Sequence, residues 1–195
     1  MEFFHNPELY RAVHSSPSYR DDEYDRWSDL MTTLGYTWEA HKPQTEDGYT
    51  LTLFHITGRE DTGPYTPSKP PVLFNHGDMQ DAYAWLRDVW NDGQDQVPYH
   101  LQLADAGYDV WLANNRGTWY SQEHVEYDPV TDEEFWMYTW ADMGLYDVPA
   151  NIDKVKEQTG YDKIFYVGYS QGTIQMFYAL SHNEDYCAEN LYKVV

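Results

Sequence analysis

The residues best suited to chemistry in this chain form the pentapeptide Gly168-Tyr169-Ser170-Gln171-Gly172. An apolar run (residues 164–167) precedes it, and apolar residues at helical spacing (174–179) follow it. This order predicts a buried strand, a sharp turn and a helix, with Ser170 at the turn. Glycine on both sides of the serine lets so tight a turn form and leaves the hydroxyl clear of the sheet. The pattern therefore favours Ser170 as a nucleophile, although an idle serine in a glycine-rich turn has the same local sequence.

The predicted helix after Ser170 adds an electrostatic argument. The first N–H groups of a helix lack intrahelical acceptors, and the dipole makes that end positive. Both effects stabilise negative charge that develops beside the serine. The sequence thus places a nucleophile and an oxyanion-stabilising helix end at one point.

Composition limits the classes of partner. The chain has 195 residues, 42% of them hydrophobic, which suffices for one domain with a sizeable core. Its formal net charge is −21, and a field of that sign repels phosphate backbones and anionic bilayers. We therefore predict no nucleic-acid binding and no electrostatic docking to membranes. The sequence holds no apolar run long enough for a transmembrane segment, and its single cysteine cannot form an internal disulfide.

The order of the predicted elements indicates an α/β fold. Strands at 71–75, 108–113 and 164–167 alternate with helices at 97–106 and 142–159, which builds a mostly parallel sheet with helices on both faces. Two further elements precede them: a short helix that Gly35 ends and a hairpin at Asp47-Gly48. We expect residues 1–33 to form an N-terminal arm and short helix, and residues 34–195 to form the α/β domain.

Beyond the pentapeptide, segments spread over residues 34–195 resemble the acid lipase family of the α/β-hydrolase superfamily, which includes gastric and lysosomal lipases. The segments that carry the resemblance are Thr45-Glu46-Asp47-Gly48-Tyr49, Asn75-His76-Gly77, Leu103 to Leu112 (LADAGYDVWL), Asn115-Arg116-Gly117, Phe135-Trp136, Tyr146-Asp147-Val148-Pro149-Ala150, Tyr166-Val167-Gly168 and Ser170-Gln171-Gly172-Thr173.

The resemblance implies an α/β-hydrolase fold and hydrolysis of acylglycerols or cholesteryl esters, with no metal and no organic cofactor. By position, Ser170 is the nucleophile, and the backbone N–H groups of Asp78 and Gln171 form the oxyanion hole. Two residues depart from the family pattern: Tyr169 stands where a histidine is usual, and Asp78 where a leucine-like residue is usual. A carboxylate turned towards the oxyanion would oppose its charge, so we expect the Asp78 side chain to point away.

The resemblance covers only the N-terminal half of the family, whose triad acid and histidine lie in the second half, after a lid. After Ser170 this chain offers one histidine, His182, twelve positions on. At 1.5 Å per helical residue it lies roughly 18 Å away and cannot act as the base. We expect a hydrolase fold truncated before its last strands and lid, and a chain that is nearly inactive alone because its serine lacks a base.

Two functions remain open. The first is a lipid-ester hydrolase whose acid and histidine come from a missing C-terminal half or a second polypeptide. The alternative is a non-catalytic α/β-hydrolase-like subunit that serves as a structural component of a larger assembly. The resemblance implies a secreted or lysosomal location, whereas no signal peptide and no Asn-x-Ser/Thr acceptor are visible in the sequence.

Overall fold

The computed structural model describes residues 24–86 and 97–195. The strands are β1 (Tyr36–His41), β2 (Tyr49–Thr50), β3 (Thr52–Arg59), β4 (Gly63–Pro64), β5 (Pro71–Asn75), β6 (Asp109–Asn114), β7 (Glu123–His124), β8 (Ile164–Gly168) and β9 (Leu191–Val194). The helices are α1 (Asp25–Leu34), α2 (Tyr83–Leu86), α3 (Tyr99–Asp105), α4 (Trp140–Asp142), α5 (Val148–Thr159), α6 (Gln171–His182) and α7 (Glu184–Asn190). A 3₁₀ turn (Glu133–Trp136) and a π-helical turn (Met143–Asp147) complete the elements.

One seven-stranded sheet organises the described part of the chain. Its strand order is β1-β3-β6-β5-β8-β9, with β4 paired to β3. The pairs β5–β6, β5–β8 and β8–β9 are parallel, whereas β1–β3 and β3–β6 are antiparallel. The predicted α/β class and mostly parallel sheet are confirmed. β2 and β7 form a separate small ladder.

Alternate side chains of the central strands pack into two hydrophobic cores, one on each face of the sheet. On one face, Phe74 and Leu112 pack with Trp27 of α1 and Leu101 of α3. On the other face, residues of β5, β6 and β8 pack with α5 and α6; this cluster contains Leu73, Trp111, Tyr166, Ile152, Val155, Met176 and Ala179. Because successive strand side chains point to opposite faces, strands buried on both sides are almost wholly apolar. The helices on both faces match the prediction.

The N-terminal helix ends where the sequence indicated. Gly35 caps α1 at φ 76°, a left-handed conformation that glycine adopts without steric cost. Residues 1–23, which hold most of the predicted arm, lie outside the described ranges. The division into 1–33 and 34–195 stays a prediction, and α1 itself packs on the sheet through buried Trp27 and Met31.

The segment predicted as one helix over 142–159 is interrupted. It contains the π-helical turn Met143–Asp147 before α5 begins at Val148. A Cβ added to Gly144, within that turn, would lie 2.8 Å from the Gln175 carbonyl oxygen of α6. The turn is therefore packed closely against the helix that follows Ser170. Within the described ranges, no helix combines the length and apolar character needed to cross a bilayer.

Candidate active site

Ser170 occupies a strained turn between β8 and α6. Its backbone has φ 51° and ψ −113°, and it is the N-cap of α6. Among the described residues, only Met79 is another non-glycine with positive φ. Such backbone conformations cost of order 1–3 kcal/mol and persist where the surrounding structure enforces them. The Ser170 residue is exposed and its side chain makes no capping hydrogen bond to α6, so its hydroxyl is free to react.

The flanking glycines are required by contact rather than by their own dihedral angles. A Cβ on Gly172 would lie 2.4 Å from the Asn75 carbonyl oxygen, and one on Gly168 would lie 2.8 Å from the Thr173 backbone nitrogen. Both contacts are with backbone atoms, which cannot move aside as a side-chain end could. The turn therefore closes only with glycine at both positions, as the sequence pattern predicted.

A buried hydrogen-bond network joins the elements on either side of the Ser170 turn. The Tyr166 hydroxyl donates to the Gly172 carbonyl oxygen at 2.9 Å and accepts from the Asn75 side-chain amide at 2.8 Å. The same Asn75 amide nitrogen donates to the Gln175 side-chain oxygen at 2.8 Å, and the Tyr169 N–H donates to the Asn75 carbonyl oxygen at 3.0 Å. β5, β8 and α6 are thereby joined at the base of the turn, which fixes the position of Ser170.

We expect Tyr166→Phe to lower the free energy of unfolding by about 1–3 kcal/mol, because it removes the buried hydrogen bonds that the hydroxyl makes with the Gly172 carbonyl oxygen and the Asn75 amide. Tyr166 is fully buried, so no water replaces the hydroxyl. Urea denaturation of the two proteins measures the loss. Phe165→Tyr, on the same strand at a half-buried position, is the matched control and should change stability little. A Tyr166→Phe protein as stable as the wild type would contradict the role of the network.

The loop after β5 brings a second backbone N–H towards the serine. A Cβ added to Gly77 would lie 3.2 Å from the Ser170 Cβ, so the Gly77–Asp78 segment lies directly beside the serine. Among the described residues, neither the Asp78 N–H nor the Gln171 N–H has a hydrogen-bond acceptor. The Asp78 carboxylate is exposed and accepts from the Met79 N–H at 3.0 Å. The two amides of the predicted oxyanion hole are thus unengaged, and the acidic side chain is held by its own loop.

His76 fixes the path of this loop. The ring is buried, its Nδ1 lies 2.8 Å from the Gly77 carbonyl oxygen, and its Nε2 accepts from the Asn115 N–H at 3.1 Å. These partners assign the proton to Nδ1. Burial lowers the pKa of His76 to about 4, partly offset by its bond to Gly77. His76 is therefore a neutral structural residue that ties the loop after β5 to the end of β6.

The buried state of His76 predicts a loss of stability in acid. Its pKa is about 4 in the folded protein and about 6.5 when unfolded, so the unfolded state binds more protons between these values. Stability falls as the pH drops from about 6.5 to about 4, and His76 contributes about 3 kcal/mol of that loss. His76→Gln should make the decline shallower by this amount in denaturation measured across that pH range. An unchanged slope would contradict the assignment of a neutral, buried imidazole.

No triad partner for Ser170 is found among the described residues. His182 is exposed at the end of α6, and its Nδ1 lies 3.0 Å from the Tyr178 carbonyl oxygen and 2.8 Å from the Ser181 hydroxyl. His76 uses both ring nitrogens on backbone groups. Within residues 24–86 and 97–195, neither histidine is hydrogen-bonded to the serine hydroxyl.

One buried ion-pair cluster escaped sequence reasoning. Arg116 is 1% exposed; its Nε donates to Asp147 at 2.7 Å and its Nη2 donates to Asp47 at 2.8 Å. Partial burial opposes ionisation of Asp47, but hydrogen bonds and charge from Arg116 outweigh it and lower the pKa of that carboxyl. The cluster joins three separate segments, those of Asp47, Arg116 and Asp147. The three residues are far apart in the sequence, and no local pattern indicated that they meet.

Comparison with known proteins agrees with this architecture. Residues 70–189 match the model of the alpha/beta hydrolase fold family, and residues 27–89 match the partial alpha/beta-hydrolase lipase region. The match over residues 70–189 covers more than half of the chain and includes both the loop after β5 and Ser170. The chain belongs to the α/β-hydrolase fold family.

Within that family, the chain is similar to acid lipases. It is 38% identical over 154 residues to a putative lysosomal acid lipase/cholesteryl ester hydrolase from Crotalus adamanteus, which covers 79% of this chain and 37% of that protein. It is also 38% identical over 156 residues to gastric triacylglycerol lipase from Rattus norvegicus, covering 80% of this chain and 38% of the relative. The chain thus spans less than two fifths of the length of these relatives.

Solved structures share the fold. An esterase from Pyrococcus furiosus superposes with a TM-score of 0.52 at 17% identity, covering 79% of this chain and 50% of that one. An epoxide hydrolase from Vigna radiata gives a TM-score of 0.52 at 19% identity, covering 83% of this chain and 39% of that one. At such identities the likeness concerns the fold alone.

Proposed function

We propose that this chain carries the nucleophile and oxyanion hole of a lipid-ester hydrolase that acts through a serine acyl-enzyme. The observation that carries the proposal is the strained, exposed Ser170 with the free N–H groups of Asp78 and Gln171 on the loop and helix beside it. A turn that serves packing alone has no reason to hold a non-glycine residue in this conformation.

The proposed reaction has two steps. The Ser170 Oγ attacks the ester carbonyl while a base accepts its proton, and the two N–H groups stabilise the oxyanion that forms. The alcohol departs with a proton, which leaves an acyl group on Ser170. Water then attacks this acyl-enzyme by the same route and releases the fatty acid. Neither step calls for a metal or an organic cofactor.

The surface near the serine supports an apolar substrate. Tyr169, Met79, Ile174 and Phe177 are large hydrophobic residues that are 41–69% exposed. Ile174 and Phe177 follow Ser170 at the i+4 and i+7 positions and so lie on one face of α6. Exposed apolar groups clustered around a reactive residue are typical of sites that bind lipids or lipid-facing segments. Together with the lipase relatives, this favours acylglycerols or cholesteryl esters as substrates.

The proton acceptor is proposed to lie outside the described residues. The relatives are more than twice as long as this chain, and we propose that the triad histidine and acid lie C-terminal to Val195 or on a second polypeptide. β9 is the last strand of the sheet on the side of β8, so further strands can add at its outer edge and bring these residues to Ser170. Completing the sheet in this way also covers an exposed strand edge.

A second candidate is a non-catalytic hydrolase-like subunit, which the departures at Tyr169 and Asp78 favour. The exposed hydroxyl and the unengaged amides support catalysis instead, since a subunit that had lost its chemistry would not need to keep either feature. The two proposals differ in whether the full-length protein forms an acyl-enzyme.

The test compares ester hydrolysis by the full-length protein with hydrolysis by residues 1–195 alone. We expect the full-length protein to hydrolyse emulsified triacylglycerol or cholesteryl ester. We expect residues 1–195 to be slower by about 10⁴-fold or more, because an unassisted serine is a poor nucleophile. Equal rates would show that residues 1–195 already contain a base for Ser170. A full-length protein that hydrolyses no ester would support the non-catalytic subunit.

A further inference from the structure

A second group of chemically capable side chains lies towards the opposite end of the parallel strands from Ser170. Glu39 and His41 belong to β1 and His55 to β3. The antiparallel register pairs Glu39 directly with His55, and His41 follows Glu39 by two residues, so all three side chains share one face. The Glu39 Oε1 lies 3.0 Å from the His41 Nε2 and 3.1 Å from the His55 Nδ1, and all three ligand atoms lie within 4.8 Å of one another.

A buried carboxylate sets the orientation of His55. The Asp109 Oδ1, on a side chain only 7% exposed, lies 2.5 Å from the His55 Nε2, and the imidazole stacks on Trp111 with ring centres 3.9 Å apart. When the His55 Nε2–H donates to Asp109, the Nδ1 of the neutral ring carries a lone pair, and this lone pair faces the Glu39 carboxylate. Two acceptors so close repel each other unless a cation lies between them. The geometry therefore requires positive charge at the Nδ1 position.

From these contacts we infer a binding site for a divalent transition metal of the zinc class, with Glu39, His41 and His55 as its ligands and one position left for water. Two imidazoles and one carboxylate form a ligand set that suits Zn²⁺. Tetrahedral coordination with bonds of about 2.0–2.1 Å places ligand atoms about 3.3 Å apart. The two observed separations from Glu39 are close to that value, and rotation of the exposed carboxylate and the His41 ring brings the rest into range. Asp109 holds the remaining ring nitrogen of His55, as carboxylates commonly do behind metal-bound histidines.

The site is separate from the catalytic one. His55 on β3 is three strands from β8, roughly 14 Å at the usual strand spacing. Asp109 begins β6, whereas Ser170 follows the end of β8, so the two sites lie at opposite ends of the parallel strands. The metal links edge strand β1 to β3 and plays no part in ester hydrolysis.

The experiment measures binding of Zn²⁺ to the metal-free full-length protein by equilibrium dialysis, with Co²⁺ absorption as a report of tetrahedral coordination. We expect Zn²⁺ to bind at this site in the wild-type protein. The affinity for Zn²⁺ should fall at least tenfold in His41→Gln and in Glu39→Gln. Asp109→Asn should weaken binding about 10–100-fold through the orientation of His55. His182→Gln, an exposed histidine on another element, is the matched control and should bind as the wild type does.

Each outcome decides the inference. If Zn²⁺ does not bind saturably, the positive charge between His55 and Glu39 is a proton on His55, and the inference of a metal site is overturned. Binding unchanged in His41→Gln would place the metal elsewhere and equally overturn it. Thermal unfolding of the metal-free variants checks that they fold, and His41→Gln decides the matter if Glu39→Gln does not fold.

Discussion

Ser170→Ala should abolish ester hydrolysis by the full-length protein, with a fall in kcat of about 10⁴–10⁶-fold. The substitution removes only the hydroxyl, which in this structure makes no capping hydrogen bond to α6, so the free energy of unfolding should change little. Initial rates on a soluble short-chain ester, together with urea denaturation, measure both quantities. Hydrolysis retained by a folded Ser170→Ala protein would remove the serine from the mechanism.

Ser170→Gly separates the chemical role of this residue from its conformation. Alanine retains the strain of φ 51° and ψ −113°, which costs about 1–3 kcal/mol. Glycine relieves that strain but loses about 0.5–1 kcal/mol more chain entropy on folding. We expect Ser170→Gly to be more stable than Ser170→Ala by about 1 kcal/mol and equally inactive. Such a pair shows that stability has been given up at this position for the sake of the exposed hydroxyl. A glycine variant less stable than the alanine variant would argue against strain at Ser170.

Gly172→Ala should damage the protein far more than an ordinary glycine substitution. The new Cβ would meet the Asn75 carbonyl oxygen at 2.4 Å and the His76 carbonyl oxygen at 2.8 Å. Because these are backbone atoms of β5 and of the loop that follows it, α6 must shift away from the sheet. We expect a loss of about 3 kcal/mol or more of stability and loss of hydrolysis even where the variant still folds.

Gly160→Ala is the matched control for this prediction. Gly160 caps α5 at φ 72°, and a Cβ added to it would meet no atom within 4 Å beyond its neighbours along the chain. Its substitution adds only left-handed strain, about 1 kcal/mol, and should leave hydrolysis unchanged. Equal losses in the two variants would show that close packing at Gly172 does not determine the geometry of the turn.

Sequence reasoning succeeded where the information is local. Gly168, Ser170 and Gly172 lie within five residues, and the strand and helix around them follow from the spacing of neighbouring apolar residues. The same holds for the glycine that ends α1. The positions of these elements in a mostly parallel sheet follow from their alternation along the chain.

What sequence reasoning missed depends on contacts between distant segments. The bonds from Arg116 to Asp47 and Asp147 and the contact of His76 with Asn115 are set by the register and packing of the completed sheet. The π-helical turn before α5 reflects the close approach of Gly144 to α6, whereas the local sequence indicated one continuous helix over 142–159. Likewise, His41 and His55 come from separate strands, and only the pairing of β1 with β3 brings their ring nitrogens together.

We propose that Ser170 is an activated nucleophile in the protein that carries a complete triad. The most direct measurement is peptide mapping by mass spectrometry of the full-length protein after reaction with a fluorophosphonate probe. We predict a single phosphonyl adduct on the peptide that contains Ser170, formed with the full-length protein and nearly absent with residues 1–195 alone. An unmodified Ser170 in a full-length protein that hydrolyses esters, or an adduct on another residue, would contradict this claim.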